Sequence, residues 1–382
     1  MKRILTSLIL LLGASAAALA GTVPLVPPPP KVEARAYLLE DYHSGRVLAE
    51  KNADQRMEPA SLTKMMTAYV VEQELRLGNI SMDDKVRISE KAWRMPGSRM
   101  FIEVGTQVSV RDLLMGVIVQ SGNDASVALA EHVAGSEEAF VSLMNSYAKA
   151  LGMTGTHYVN ATGLPHKDHY TTARDLAILA RAMIRDFPEH YSLYSEKEFT
   201  YNGIRQFNRN KLLWQDPSVD GIKTGHTESA GYCLVASAQR GEMRLISVIL
   251  GTKSENKRAS ESQKLLTYGF RFFETHKLYD AGEPLTEVRI WKGAKERLAL
   301  GLAEDLWVTV PRGHYDDLKA EMRLPPQIIA PVEKGQVIGV TNVYLGDKKD
   351  QPWAKRDLVA LEDIPEGSLW QVISDEVLLW FE

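Results

Sequence analysis

The stretch Glu58-Pro59-Ala60-Ser61-Leu62-Thr63-Lys64-Met65-Met66 decides how the rest of the chain is read. Pro59 precedes a run with helical spacing, which predicts a helix from about here to Leu77 with Ser61 near its start. Residues three apart share a helix face, so the Ser61 hydroxyl and the Lys64 amine can meet. A serine hydroxyl is a weak nucleophile until a base takes its proton. A lysine can be that base only when partly neutral, and burial or a second nearby cation pushes it that way. A helix start also offers N–H groups to developing negative charge. By itself the S-x-x-K pair carries little, since about one arises by chance in a chain this long.

Outward from that stretch, the N-terminus reads as a secretory leader over 1–20. Lys2 and Arg3 precede the apolar run Ile4 to Ala17 and the small-residue sequence Ala18-Leu19-Ala20. Cleavage there removes both cations and takes the formal charge from −4 to −6. A balance this acidic carries no broad basic surface for nucleic acid. The single cysteine, Cys233, excludes an internal disulfide, and its apolar neighbours make it a buried, inert thiol. Pro24 and Pro27-Pro28-Pro29-Pro30 mark residues 21–33 as an extended linker.

Two strands, Ala34 to Glu40 and Val47 to Glu50, turn at His43-Ser44-Gly45. Helical patterns then dominate as far as Asp186, including Val110 to Val119, Ala125 to Val133, Glu137 to Leu151 and Thr172 to Arg185. Strands follow at Phe199 to Tyr201, Gly221 to Thr224, Gly231 to Ala238 and Leu245 to Gly251, then an amphipathic helix from Arg258 to Thr275. The fold class is therefore α+β. One sheet draws its first and last strands from distant sequence, with a helical subdomain inserted between, and together they span 34–277. Short strand-like runs separated by turns, among them Val288 to Trp291, Leu306 to Val310, Gln336 to Val340 and Leu358 to Leu361, predict a small all-β domain at 278–365. Residues 366–382 form a last unit. Leu369, Ile373, Val377, Trp380 and Phe381 fall on one helical face that suits a membrane interface, although Asp375, Glu376 and Glu382 make it acidic.

Three polar clusters stand along the first domain: Ser61-x-x-Lys64, Ser121-Gly122-Asn123 and Lys223-Thr224-Gly225-His226. Each is weak alone. Together, in this order, they match the signature of the serine penicillin-recognising enzymes. The chain resembles the D-alanyl-D-alanine carboxypeptidases of the low-molecular-mass penicillin-binding proteins. The matches extend through Ser121-Gly122-Asn123-Asp124-Ala125, Lys223-Thr224-Gly225-His226-Thr227 and Ala230-Gly231-Tyr232, and through the tract Phe199 to Leu213. The resemblance covers nearly the whole chain, from leader to terminal helix. It departs at that helix, which is often basic in the family.

The resemblance implies a penicillin-binding-protein and serine β-lactamase-like catalytic fold, with an antiparallel sheet. It implies removal of the terminal D-alanine from wall pentapeptides through an acyl-enzyme on Ser61, and acylation by β-lactams. Lys64 is then the general base and Ser121 a proton relay held by Lys64 and Lys223. Asn123 binds the substrate amide and orients Lys64. Lys223 keeps Lys64 from holding its proton tightly, while Thr224 and Gly225 line a strand edge for the peptide. The N–H groups of Ser61 and His226 form the oxyanion hole, and Arg258 with Thr224 receives the terminal carboxylate. No cofactor or metal is expected, because His157, His166 and His169 lie in a polar loop without ligand spacing. The expected location is the periplasm, peripherally on the inner membrane. Endopeptidase action, weak β-lactamase action and a non-catalytic β-lactam sensor are the competing readings. Residues 160–175 contain no Glu to activate a deacylating water, and the chain shows no signalling domain.

Overall fold

The computed structural model describes residues 26–346 and 351–380. The expected leader over 1–20, and the terminal Phe381 and Glu382, lie outside the described residues. The central sheet is antiparallel, with strands in the order Val47–Lys51, Ala36–Asp41, Met243–Thr252, Gly231–Arg240 and Val219–Thr227. Its first and last strands in sequence are thus joined in space, and Val219–Thr227 is left as an outer strand.

Both faces of this sheet are covered. Ala36, Leu38, Val235 and Val248 point toward the helical subdomain, while Tyr37, Leu39, Leu234 and Ile249 point toward the helix Glu255–Phe272. The alternation follows the two-residue period of a strand. The helix Thr63–Leu77 is buried along most of its length, from Thr63 to Gln73, which is why its apolar residues show no single stripe. Val110–Met115 continues into a widened π turn over Gly116–Gln120, and Ser121 closes it at φ +64°. The helix Asn123–Ala134 begins two residues later.

The described part of the Pro-rich segment, residues 26–33, is docked on this body. Tyr268 donates its hydroxyl to the Pro27 carbonyl at 2.9 Å, and Glu33 N–H donates to Glu261 at 3.1 Å. The helix expected to run to Thr275 ends instead at Phe272, and Phe273–Tyr279 becomes a strand paired with Leu306–Pro311. Tertiary contacts outweigh helix propensity there, because Thr275 is buried and donates to the buried Asp41 carboxylate at 2.7 Å. Asp41 also accepts from the Ser44 N–H and hydroxyl at 2.7 and 2.9 Å. One carboxylate therefore ties the first hairpin to the strand that leads into the β domain.

That domain carries a five-stranded antiparallel sheet, ordered Thr286–Arg289, Arg297–Leu302, Ala354–Ala360, Val337–Leu345 and Leu318–Arg323. The sequence reading did not identify two of these, Arg297–Leu302 and Leu318–Arg323. The second is an edge strand with no buried residue, although Leu318, Ala320 and Met322 alternate with Lys319, Glu321 and Arg323. A terminal helix, Leu369–Leu379, starts at a capping box between Ser368 and Gln371.

Candidate active site

Three segments converge at the end of the outer strand Val219–Thr227. Ser61 sits in a 3₁₀ turn, Ala60–Leu62, directly ahead of the Thr63–Leu77 helix. Gly225 runs so close to this turn that a Cβ there would lie 3.0 Å from the Pro59 carbonyl oxygen and 3.1 Å from Leu62 Cγ. From the other side, Gly163 at φ +87° presses on Ala60, and a side chain there would run into the Ala60 carbonyl. Ala60 is itself at φ +48°. Glycine at 163 and 225 is therefore what lets the loop and the strand close on Ser61.

Lys64 is fully buried, and its Nζ has three neighbours: Ser61 Oγ at 3.1 Å, Asn123 Oδ1 at 2.7 Å and the Thr162 carbonyl at 2.6 Å. The last two can only accept. A neutral amine has two N–H bonds and one lone pair. With both N–H bonds directed at Asn123 and Thr162, the lone pair is left facing the Ser61 hydroxyl. Burial, and then the nearby Arg209 charge, lower the Lys64 ammonium to about 7, with Asp124 pulling the other way.

Lys223 is also buried. It donates to Ser121 Oγ at 2.8 Å and to its neighbour's carbonyl, Thr224 O, at 3.1 Å. Burial, then Lys64, Arg209 and Arg258, hold it well below an ordinary lysine. Among the described residues, the side-chain hydrogen bond to Ser121 comes from Lys223. Asn123 donates Nδ2 to the Pro96 carbonyl at 2.6 Å while its oxygen accepts from Lys64. Arg258 is buried behind the strand and donates to the carbonyls of Gly225 and Arg209, both at 3.3 Å. Thr224 is buried in the cleft. The His226 ring is exposed and stacks on Tyr232 with centroids 3.9 Å apart.

Three participants escaped the sequence reading. Thr162 lies in a stretch read only as a loop. Arg209 lies in a tract recognised only by resemblance. Asp124, 1% exposed, accepts four backbone N–H groups, from Met100, Phe101, Ile102 and Ala125, at 2.9 to 3.3 Å. His169 also differs from its expected polar-loop setting. It is buried, its Nδ1 accepts the Val159 N–H at 3.0 Å, and the remaining ring proton therefore sits on Nε2, 2.7 Å from Thr63 Oγ1. Burial lowers it to about 4, so it stays neutral beside the Lys64 helix.

This arrangement can make one hydroxyl nucleophilic, relay a proton along a second, and hold an anion. Residues 24–254 match the family described as D-alanyl-D-alanine carboxypeptidase, and residues 273–366 match the penicillin-binding protein 5 C-terminal domain. The chain belongs to the D-alanyl-D-alanine carboxypeptidase family. It is 48% identical over 365 residues to D-alanyl-D-alanine carboxypeptidase DacA of Escherichia coli (strain K12), covering 94% of this chain and 90% of that protein. It is 49% identical to DacC of the same organism, covering 92% and 89%. A crystal structure of penicillin binding protein 5 from Haemophilus influenzae superposes with a TM-score of 0.85 at 46% identity, covering 89% of this chain and 100% of that one. For this carboxypeptidase-family chain the α+β fold, the antiparallel sheets and the C-terminal β domain are those of its relatives.

Proposed function

We propose that this chain is a serine-type D-Ala-D-Ala carboxypeptidase that trims the terminal D-alanine from wall pentapeptides and is acylated by β-lactams. The observation that carries this reading is the lone-pair geometry at Lys64. The Ser61 proton passes to Lys64 Nζ while Oγ bonds to the carbonyl carbon between the two D-alanines. The N–H groups of Ser61 and His226 receive the oxyanion. As the C–N bond breaks, the departing amine takes the Ser121 hydroxyl proton, the Lys64 ammonium refills that hydroxyl with the proton it took from Ser61 and so returns to the neutral amine, and Lys223 orients the relay. Water then cleaves the Ser61 ester and releases the shortened peptide. The departing alanine carboxylate sits against Thr224, with Arg258 supplying positive charge from behind Gly225. Asn123 orients Lys64 and, once its amide leaves Pro96, binds the substrate amide.

We place the catalytic region at 34–277, the β domain at 278–365 and a surface-associating helix at 366–382. The enzyme works in the periplasm, attached peripherally to the inner membrane by that helix. Leu369, Trp370 and Trp380 are each more than 80% exposed. Asp375 accepts the Lys292 N–H and faces Arg289, and Glu376 pairs with Lys292. The helix therefore pairs Asp375 and Glu376 with its own domain and turns its apolar side outward, which weakens the repulsion from lipid that its composition suggests. Among the described residues no helix is long and apolar enough to cross a membrane.

The test is D-alanine release from a pentapeptide ending in D-Ala-D-Ala. Wild type should release one D-alanine per peptide, and Ser61→Ala should lose at least about 10⁴-fold in rate. D-alanine release surviving in Ser61→Ala would remove the mechanism.

A further inference from the structure

One wall of the cleft carries features that the roles above do not use. The loop from Ser98 to Ile102 is pinned on several sides. The buried Asp124 carboxylate takes the N–H groups of Met100, Phe101 and Ile102. Asn123 N–H donates to the Ser98 carbonyl at 2.7 Å. The hairpin Glu198–Tyr201/Ile204–Phe207 adds a bond from Gln206 to the Met100 carbonyl at 3.1 Å, and Arg209 donates to Ser98 Oγ at 2.8 Å. Held this way, Phe101 sits at φ +69° and the residue is 45% exposed. A bulky aromatic is a backbone outlier there, and such strain gathers at functional sites. The Arg99 guanidinium lies 5.4 Å from the Phe101 ring centroid. Among the described residues Arg99 pairs with no carboxylate.

An extended peptide on the edge of Val219–Thr227, with its last carboxylate at Thr224, must run the rest of its length away from Arg258. Its alternate side chains then face the wall built on Asn123. We propose that Arg99, seated on Phe101, forms a second anion-binding subsite that receives a carboxylate-bearing side chain from the acyl part of the substrate peptide. The aromatic face fixes the guanidinium and shields it, and a charge-assisted hydrogen bond to the side-chain carboxylate supplies the preference. This rests on reading the cleft as a peptide site.

Two synthetic pentapeptides ending in D-Ala-D-Ala test it. They differ only in a side-chain carboxylate or carboxamide on the residue preceding that pair, and kcat/KM is measured for each with the full mature chain. Wild type should prefer the acid by about tenfold. Arg99→Gln should bring the ratio close to one, and Arg99→Lys should restore part of it. Phe101→Gly relieves the left-handed backbone, so it should leave Tm equal or higher while the ratio falls. A wild-type ratio of one, or a ratio untouched by Arg99→Gln, overturns the subsite. Either result leaves the carboxypeptidase reading standing so long as D-alanine release still depends on Ser61. A lower Tm with an unchanged ratio in Phe101→Gly shows the strained loop to be purely structural and also overturns it.

Discussion

Lys64 concentrates the chemistry at the residue scale. Its ammonium is disfavoured because it is buried and faces Arg209. The sign for activity follows from which form works. In the proposed mechanism the base is the neutral amine, so acylation should rise with pH through about 7 and level off above it. Lys64→Arg keeps a cation that cannot give up its proton. It should slow acylation by about 10³-fold at neutral pH and abolish the rise near 7, both read by stopped-flow mixing with a chromogenic β-lactam. A full-speed arginine variant would show that the side chain acts only as a charge. Stability moves in the same direction. A lysine whose folded-state proton affinity is depressed costs stability most below about 7, and that cost fades as pH rises toward 10.5.

At the scale of elements, the site exists because a 3₁₀ turn, a loop and a strand end approach more closely than side chains normally permit. Gly163→Ala should cost about 2–4 kcal/mol, since it adds both a left-handed penalty and a clash with Ala60. The same substitution should slow β-lactam acylation by displacing Ser61. Urea unfolding monitored beside acylation checks both, and a fully active, stable variant would contradict the close-approach argument. The order of elements and the three polar clusters could be read from the chain because local spacing encodes them. Ser61 and Lys64 share a turn, and Asn123 and Lys223 stand in short distinctive motifs. Thr162 could not be found that way, because its backbone carbonyl does the work and any residue has one. Arg209 acts across the cleft as a charge, with no local pattern to mark it. The strand Phe273–Tyr279 was hidden for a related reason: its partner, Leu306–Pro311, lies beyond an intervening hairpin, and nothing local marks the switch from helix to strand.

For the whole molecule, the proposal gives the β domain and terminal helix the task of setting where the cleft operates. The Asp41 carboxylate, Thr275 and Thr309 join the catalytic region to the β domain through buried hydrogen bonds, and His43 stacks on Trp307 at 4.1 Å across the same junction. The terminal helix is fixed to that domain by its acids, so its exposed tryptophans face outward as a set. Deleting residues 367–382 should move the protein from the membrane to the soluble fraction without reducing D-alanine release in solution, and unchanged fractionation would refute the attachment. The central proposal is a single hydroxyl made reactive by a buried amine. The most direct measurement is the mass and position of the adduct formed when the intact protein meets a penicillin. The account predicts one equivalent of added penicilloyl mass, confined to the peptide containing Ser61. An adduct on another residue, or none at all, would contradict it.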